Sequence, residues 1–126
     1  MNKKVIETSA APAPIGPYSQ AVMAGNLLFL SGQVCFDPAT GELKNADVTA
    51  ETHQVMANLK AVLAEAGMTF DNVVKTTIFL SDMSLFATVN EAYSQYFSSA
   101  FPARETVAVK GLPRNVNVEI SMIATA

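Results

Sequence analysis

One arginine of the sequence stands in a setting suited to holding an anion. Arg104 follows Phe101 and Pro102, so a rigid extended segment carries its long cationic side chain directly into a predicted strand. A guanidinium group stays protonated and presents paired N–H donors, which makes it a poor general base and a good two-point ligand for a carboxylate. Arg104 is therefore a candidate for binding an acidic substrate. Spacing alone leaves open a surface ion pair with an acid such as Glu105.

Glu119 is the acid that would complement this arginine. It falls on the polar side of an alternating segment, where an acid is ordinarily solvated. If Arg104 and Glu119 lie at adjacent edges of one sheet face, the arginine would bind an anion and the glutamate would orient water. Ser31 and Gly32 follow an apolar run, a pattern that by spacing alone favours a strand ending in a bulge with no catalytic role.

The remaining reactive side chains fit ordinary structural roles. Cys35 is the only cysteine, so a disulfide within one chain is excluded, and we expect an unremarkable buried or half-buried thiol. His53 is the only histidine, and its place on the polar side of a predicted helix favours a solvated surface side chain. Zinc-ligand spacing, a glycine-rich phosphate loop and a nucleophile elbow are all missing from the sequence. The sequence therefore indicates no metal and no familiar cofactor chemistry.

Composition limits the class of protein. A chain of 126 residues fits a single domain over 1–126, and 50% hydrophobic with 15% charged residues supplies a packed core. No apolar run approaches the ~20 residues of a membrane span, so we expect an oligomer that buries apolar surface between subunits. The N-terminal sequence has no apolar signal core, and cytoplasm is the expected compartment. A net charge of −3 with eight scattered Lys and Arg argues against nucleic acid as a partner.

The elements that must position these residues follow from hydrophobic periodicity. In chain order the sequence predicts a strand over 27–34, a helix over 49–66, a strand over 73–80, a helix carrying the apolar residues from Phe86 to Phe97, and strands over 105–110 and 116–123 around a turn at 111–115. Thr49 is the predicted cap of the first helix, and Gly67 is its predicted end. Two amphipathic helices suffice to cover one face of such a sheet. We therefore expect a two-layer α+β domain with its site on the second face.

Seven short motifs recur in an order that is typical of one family. They are GPYSQA (16–21), LSGQ (30–33), NL (58–59), VNEAY (89–93), YF (96–97), FPAR (101–104) and VEI (118–120). Together they cover essentially the whole chain and closely resemble the Rid family, the YjgF-like reactive intermediate deaminases.

The resemblance implies a chorismate-mutase-like α+β fold, with a mixed β-sheet, two helices on one face, and a homotrimer whose clefts lie between neighbouring subunits. It implies cofactor-independent hydrolysis of 2-imino acids such as 2-iminobutanoate and 2-iminopropanoate, formed from enamines like 2-aminoacrylate, to 2-keto acids and ammonia. By the same resemblance Arg104 would bind the substrate carboxylate and Glu119 would help to position water. The other candidate binding residues are Tyr18, Ser31, Gly32, Asn90, Thr106 and Val107.

Two positions depart from the common pattern of that family. Thr106 stands where many relatives have cysteine, and Cys35 stands where proline or another small residue is common. Thr106 would keep a small wall of the cleft and add a hydroxyl, so substrate preference is affected more than activity. A non-catalytic binder of 2-keto acids is the leading alternative function, because the same arginine would hold a product as readily as a substrate.

Overall fold

Six strands and two helices form in the computed structural model, which describes residues 2–126. The strands are β1 (Lys3–Ile6), β2 (Ala21–Ala24), β3 (Leu27–Gln33), β4 (Val73–Leu80), β5 (Ala103–Ala108) and β6 (Val118–Thr125). The helices are α1 (Val48–Glu65) and α2 (Phe86–Ser94), and short 3₁₀ turns lie at Phe70–Asn72, Met83–Leu85 and Pro113–Asn115. None of the helices in this described part is long and apolar enough to cross a bilayer.

All six strands join one sheet in the order β1-β2-β3-β6-β4-β5. Only β4 and β5 run parallel; every other neighbouring pair is antiparallel. The last two strands flank a turn at Pro113–Asn115 as predicted, but they are not neighbours in the sheet, because β4 lies between them. Parallel strands need a crossover, here supplied by α2 between β4 and β5, and this crossover leaves β5 at the edge of the sheet.

The alternation of β6 shows why both helices lie on one face. Its residues Val118, Ile120, Met122 and Ala124 are buried, while the residues between them are half-buried. The buried side faces α1, which contacts β3 and β6 and also packs against α2. The predicted mixed sheet with two helices on one face is confirmed.

Of the two predicted ends of α1, the structure confirms the C-terminal one and moves the N-terminal one. Asp47, not Thr49, is the N-cap, and its side chain accepts a hydrogen bond from the Ala50 amide at 2.7 Å. Both side chains are able to cap, but the chain turns at Asp47, so Thr49 already lies within the helix. Gly67 ends the helix as predicted: its φ of 75° allows the next amide, that of Met68, to reach back to the Leu63 carbonyl at 2.9 Å.

The second helix ends before the last residues of the apolar pattern that predicted it. It ends at Ser94, so Tyr96 and Phe97 lie beyond it. Their amides bond to the carbonyls of Tyr93 and Ser94, three residues back, which tightens the chain out of the α-helix. Both rings still pack against the core, which explains why their spacing resembled a continuing helix.

A buried glutamate ties α1 to the start of β6. The Glu51 side chain, on the first turn of α1, is 0% exposed. One carboxylate oxygen accepts the backbone amides of Asn117 and Val118 at 2.7 and 2.8 Å, and the other accepts Asn117 Nδ2 at 3.2 Å. Three donors compensate the buried carboxylate, which thereby fixes where β6 enters the sheet, just before Glu119.

We expect Glu51→Ala to lower the free energy of unfolding by about 2–5 kcal/mol, because it leaves two backbone amides without their acceptor. Glu51→Gln should lose less, since its amide oxygen still accepts a hydrogen bond. Glu65→Ala, at an exposed position of the same helix, is the matched control and should change stability by under about 0.5 kcal/mol. Urea unfolding measures all three variants. Equal stability of the two alanine variants would show that the Glu51 contacts do not support the fold.

Candidate active site

Arg104 lies on the edge strand β5 and is held from the side by α2. Its Nη1 donates to Asn90 Oδ1 at 2.7 Å. The guanidinium carbon lies over two aromatic rings of the same helix, 5.7 Å from the centroid of Phe86 and 5.3 Å from that of Tyr93. At these distances both rings attract the cation through their π faces. The side chain is exposed and oriented without any acidic partner.

The ion pair left open by the sequence does not involve this arginine. Glu105 points to the other side of β5, where its carboxylate accepts Thr77 Oγ1 at 2.9 Å and lies 3.3 Å from Lys75 Nζ. The hydrogen bonds from Thr77 and Lys75 hold the pKa of Glu105 below its usual value. Over residues 2–126, Arg104 makes no salt bridge. Its positive charge is therefore available to an anion from outside the chain.

Glu119 lies on the opposite face of the sheet. Across β4, Thr76 pairs with Arg104 and Phe79 pairs with Glu119. Paired residues share a face, and two positions three apart on one strand face opposite sides. Thr76 is on the helix side, where it accepts a hydrogen bond from Tyr93. The hypothesis that Arg104 and Glu119 share one sheet face is therefore wrong within a single chain, because it assumed a register that the strand pairing does not have.

The carboxylate of Glu119 packs against a bulge of β3. The pairing of β3 with β6 shifts between Leu30 and Gln33, so Ser31 and Gly32 form the irregularity that their sequence suggested. A Cβ on Gly32 would lie 2.7 Å from Glu119 Oε2, so a larger residue at this position would displace the carboxylate from where it now packs. Partial burial removes water from the group and raises the pKa of Glu119 above its usual value.

The segment that precedes β2 adds to this second region. Ser31 Oγ donates to the carbonyl of Ser19 at 2.6 Å, and the Ser31 amide donates to the carbonyl of Gln20 at 2.9 Å. These bonds hold Ser19 and Gln20 against the bulge, and the exposed Tyr18 directly precedes them in the chain. We call Ser31, Gly32 and Glu119, together with Tyr18 of this adjoining segment, the acid half-site.

Asn90, Arg104 and Thr106 form a second region, which we call the arginine half-site. Thr106 lies two residues after Arg104 on the same side of β5, and its Oγ1 is buried without a hydrogen-bond partner among the described residues. The Val107 side chain points to the opposite face, toward the side of Glu119. Because the Val109 amide donates to β4, alternation directs the Thr106 amide to the unpaired edge, where it can meet a ligand.

A cleft of about 330 Å³ opens beside Arg104. Its wall is made by Asn90, Tyr93, Ser94, Phe101 and Pro102. A carboxylate held by Arg104 would therefore have a mainly apolar surface beside it, which suits a small organic acid with an apolar end.

Two aromatic residues of the site were missed as functional from the sequence. Phe86 and Tyr93 were assigned to the apolar stripe of a helix, where their spacing fits equally well. With Asn90 they stand at i, i+4 and i+7, the offsets of one helix face. All three side chains contact Arg104. A polar residue within an aromatic stripe was the signal that would have found this face.

The two remaining reactive residues lie elsewhere. His53 is half-buried and its Nδ1 lies 2.7 Å from the Tyr96 hydroxyl, so the prediction of a solvated histidine is wrong; Tyr96, beyond the end of α2, folds back over it. Cys35 is buried as expected, and burial raises the pKa of its thiol. Within residues 2–126, no three His, Cys, Asp or Glu side chains come together as a possible metal site.

Comparisons with known proteins show which family and which solved structures the chain is similar to. A family model described as Endoribonuclease L-PSP matches residues 8–126. The 2-iminobutanoate/2-iminopropanoate deaminase of Mus musculus is 50% identical over 97% of this chain and 90% of the mouse protein. A Rid family protein of unknown function from Yersinia pestis has a TM-score of 0.96 at 47% identity, covering 98% of this chain and 99% of its own. E. coli TdcF with bound serine has a TM-score of 0.93 at 41% identity, covering 98% of each chain.

The raised pKa of Glu119 predicts a pH-dependent stability difference. Ionising this carboxyl is harder in the folded state than in the unfolded one, so the wild-type chain carries a penalty that Glu119→Gln lacks. The penalty is absent below the unfolded pKa of about 4.3 and complete above the raised folded pKa. We therefore expect the unfolding free energy of Glu119→Gln, relative to wild type, to rise between about pH 4 and neutrality.

Urea unfolding at several pH values measures this difference. Glu65→Gln, at an exposed position of α1, controls for the loss of one negative charge. A Glu119→Gln difference that stays flat with pH, or falls as the pH rises, would contradict the cause assigned to the raised pKa.

Proposed function

The chain belongs to the Rid family, and from that premise we propose that it is an imine deaminase that hydrolyses reactive 2-imino acids to 2-keto acids and ammonia. The substrates are 2-iminobutanoate, 2-iminopropanoate and related compounds that form from enamines such as 2-aminoacrylate. The mouse relative is named for the first two. The cytoplasm stays the expected compartment.

The observation that carries this proposal is that Arg104 is oriented by its neighbours but has no acidic partner. Its guanidinium is exposed, is oriented by Asn90 and two rings, and pairs with no acid among the described residues. Such a group binds a carboxylate at two points without first giving up another anion. A 2-imino acid carries that carboxylate directly beside its reacting carbon, so binding at Arg104 fixes the position of the C=N bond.

The reaction then needs only water and one proton carrier. The water oxygen adds to the imine carbon while the π electrons of the C=N bond move to nitrogen, which takes up a proton. Glu119 accepts a proton from the water and returns it to nitrogen, and its raised pKa suits both steps. The hydroxyl proton of the tetrahedral adduct then passes to its amino nitrogen, with Glu119 again as the carrier, and the C–N bond breaks, which forms the keto group and releases ammonia. The Thr106 amide at the open edge of β5 is a donor for the substrate carboxylate or the adduct. Each step uses groups of the chain and water, so no cofactor is required.

Arg104 and Glu119 can act on one substrate only if they come from different chains. They lie on opposite faces of the sheet, at β5 and next to the β3 bulge. We therefore assign each cleft to two subunits, one giving the arginine half-site and its neighbour giving the acid half-site. Repeating such a heterologous contact closes a ring, and a homotrimer is the ring expected for this family. The sheet face away from the helices exposes Leu27, Phe29 and Val107, apolar surface that a second subunit would bury.

A binder of 2-keto acids without catalysis is the second candidate function. The observation that favours it is that the arginine half-site is complete within one chain and would hold a 2-keto acid by the same contacts. Turnover separates the two functions. Freshly generated 2-iminopropanoate should disappear faster with the wild-type protein than in buffer or with Arg104→Ala. Tight keto-acid binding together with a hydrolysis rate equal to that in buffer would identify a binder.

We expect Arg104→Lys to lose most of the activity although it keeps the charge. Lysine presents one compact ammonium group and cannot reproduce a planar two-point grip or stack on the rings of Phe86 and Tyr93. We expect a drop in kcat/KM of about tenfold to a hundredfold, which corresponds to one charge-assisted hydrogen bond of about 1.5–3 kcal/mol. Steady-state kinetics on a folded variant measures it. A near-wild-type kcat/KM would remove Arg104 from its role.

Mixing two inactive variants tests the shared cleft. Arg104→Ala and Glu119→Gln chains should each be weak alone, because every cleft lacks one group. After subunit exchange at equal amounts, each mixed trimer regains one cleft in which both groups are intact. The mixture should therefore recover about a quarter of the wild-type activity.

The matched control for this mixture uses two lesions in one half-site. Arg104→Ala and Asn90→Ala chains place both changes in the arginine half-site, so no cleft in any mixed trimer contains both groups intact. This mixture should show no recovery above its two components. Equal recovery in both mixtures, or none in the first despite proven exchange, would contradict the two-chain cleft.

A further inference from the structure

Two kinds of contact hold the guanidinium of Arg104: cation–π contacts with two rings and a hydrogen bond to Asn90. Its central carbon lies over the rings of Phe86 and Tyr93, at 5.7 and 5.3 Å from their centroids. Its edge carries five N–H donors, of which the contact to Asn90 engages one. The cation is therefore held by two π faces and one hydrogen bond, and its other donors make no hydrogen bond among the described residues.

This arrangement orients a cation without neutralising it. A carboxylate neighbour would also hold the guanidinium, but it would occupy the edge donors and would have to be displaced by an anionic ligand. An aromatic ring attracts the cation over its face and leaves the in-plane donors unoccupied. Phe86 and Tyr93 thus orient Arg104 in a way that does not compete with a substrate carboxylate.

The Tyr93 ring is itself fixed in place. Its hydroxyl, buried in the core, donates to Thr76 Oγ1 at 2.9 Å. Thr76 is the residue that pairs with Arg104 across β4 and β5. The ring is therefore anchored to the strand position beside the arginine that it supports, and it also contacts Phe97 at a centroid distance of 5.0 Å. Phe86, in contrast, is 40% exposed and makes the outer side of the arrangement.

We infer that Phe86 and Tyr93 form an aromatic clamp that positions Arg104 for carboxylate binding, with the Thr76 hydroxyl as its anchor. The clamp lowers the freedom that the long arginine side chain would otherwise lose on binding. Phe86 and Tyr93 are positioning residues and take no part in the bond-making steps. Their effect should therefore appear in substrate and product affinity and should leave the chemical step nearly unchanged. This inference rests on the proposed function of the same site.

The test compares four ring variants of the wild-type oligomer. Phe86→Leu and Tyr93→Leu each remove one π face, Tyr93→Phe keeps the ring but removes the anchor, and Tyr96→Leu removes a neighbouring ring that does not contact Arg104. Steady-state kinetics on a freshly generated 2-imino acid gives KM and kcat. Titration with 2-oxobutanoate gives the product Kd, and thermal unfolding reports the fold of each variant.

Phe86→Leu and Tyr93→Leu should raise both KM and the 2-oxobutanoate Kd by about threefold to tenfold, the range expected for one cation–π contact, with kcat within about twofold. Tyr93→Phe should raise KM and the 2-oxobutanoate Kd by less than Tyr93→Leu does, because the ring face remains although its anchor to Thr76 is lost. Tyr96→Leu should lower thermal stability and leave KM and Kd unchanged. Phe86 is partly exposed, so its variant keeps the test decisive if Tyr93→Leu does not fold.

Unchanged KM and Kd in Phe86→Leu would overturn the clamp, as would equal increases in Tyr96→Leu or a Tyr93→Phe as defective as Tyr93→Leu. Arg104→Ala, measured alongside, distinguishes a failure of the proposed function from a failure of the clamp alone. If Arg104→Ala keeps its KM, the proposed function is wrong. If it loses affinity while the ring variants do not, only the clamp is wrong.

Discussion

The side chains of a strand alternate between the two faces of a sheet, and this constraint determines how the site of this protein is built. Thr76 and Phe79 of β4 fix the register of both neighbouring strands, so Arg104 lies on the helix side and Glu119 on the other. No change of rotamer moves a side chain through the sheet. A cleft that uses both groups therefore needs a second chain, and the open sheet face with its exposed apolar residues is the surface on which that chain would pack.

Each half-site also carries an uncompensated group. Arg104 faces neutral partners, and Glu119 is partly buried beside the bulge with no cation to lower its pKa. The partly buried Glu119 lowers the stability of the isolated chain, because its ionised form is desolvated without a pairing charge, whereas the exposed Arg104 is solvated by water. In the proposed reaction the arginine would pair with a substrate carboxylate and the glutamate with water. By contrast, both oxygens of the buried Glu51 carboxylate accept hydrogen bonds from the residues at the start of β6, as expected of a structural group.

The sequence predicted much of this protein because local periodicity and turn chemistry determine much of the fold. The bounds of β4 follow directly from its β-branched run, and Gly67 ends α1 because only its backbone adopts the required turn without strain. Strand pairing depends on contacts between distant segments, so the position of β4 between β5 and β6 did not follow from spacing. The opposite faces of Arg104 and Glu119 were missed for the same reason.

The aromatic residues around Arg104 were missed for a different reason. Phe86 and Tyr93 have the spacing of core residues, and Tyr93 is in fact buried, so a role in the core and a role in the site coincide. Glu51 was also overlooked, because an acid in the first turn of a helix ordinarily faces water. In both cases the side chain's partners come from a separate strand, and only the folded structure brings them together.

The central claim is that one substrate meets groups from two chains, and a crystal structure of the oligomer with bound 2-oxobutanoate tests it most directly. The account predicts that the keto-acid carboxylate bonds to Arg104 of one subunit, while the Glu119 carboxylate that faces its keto group belongs to the neighbouring subunit. A keto acid bound away from Arg104, or bound at Arg104 with no Glu119 from another chain within reach of one bridging water, would contradict it.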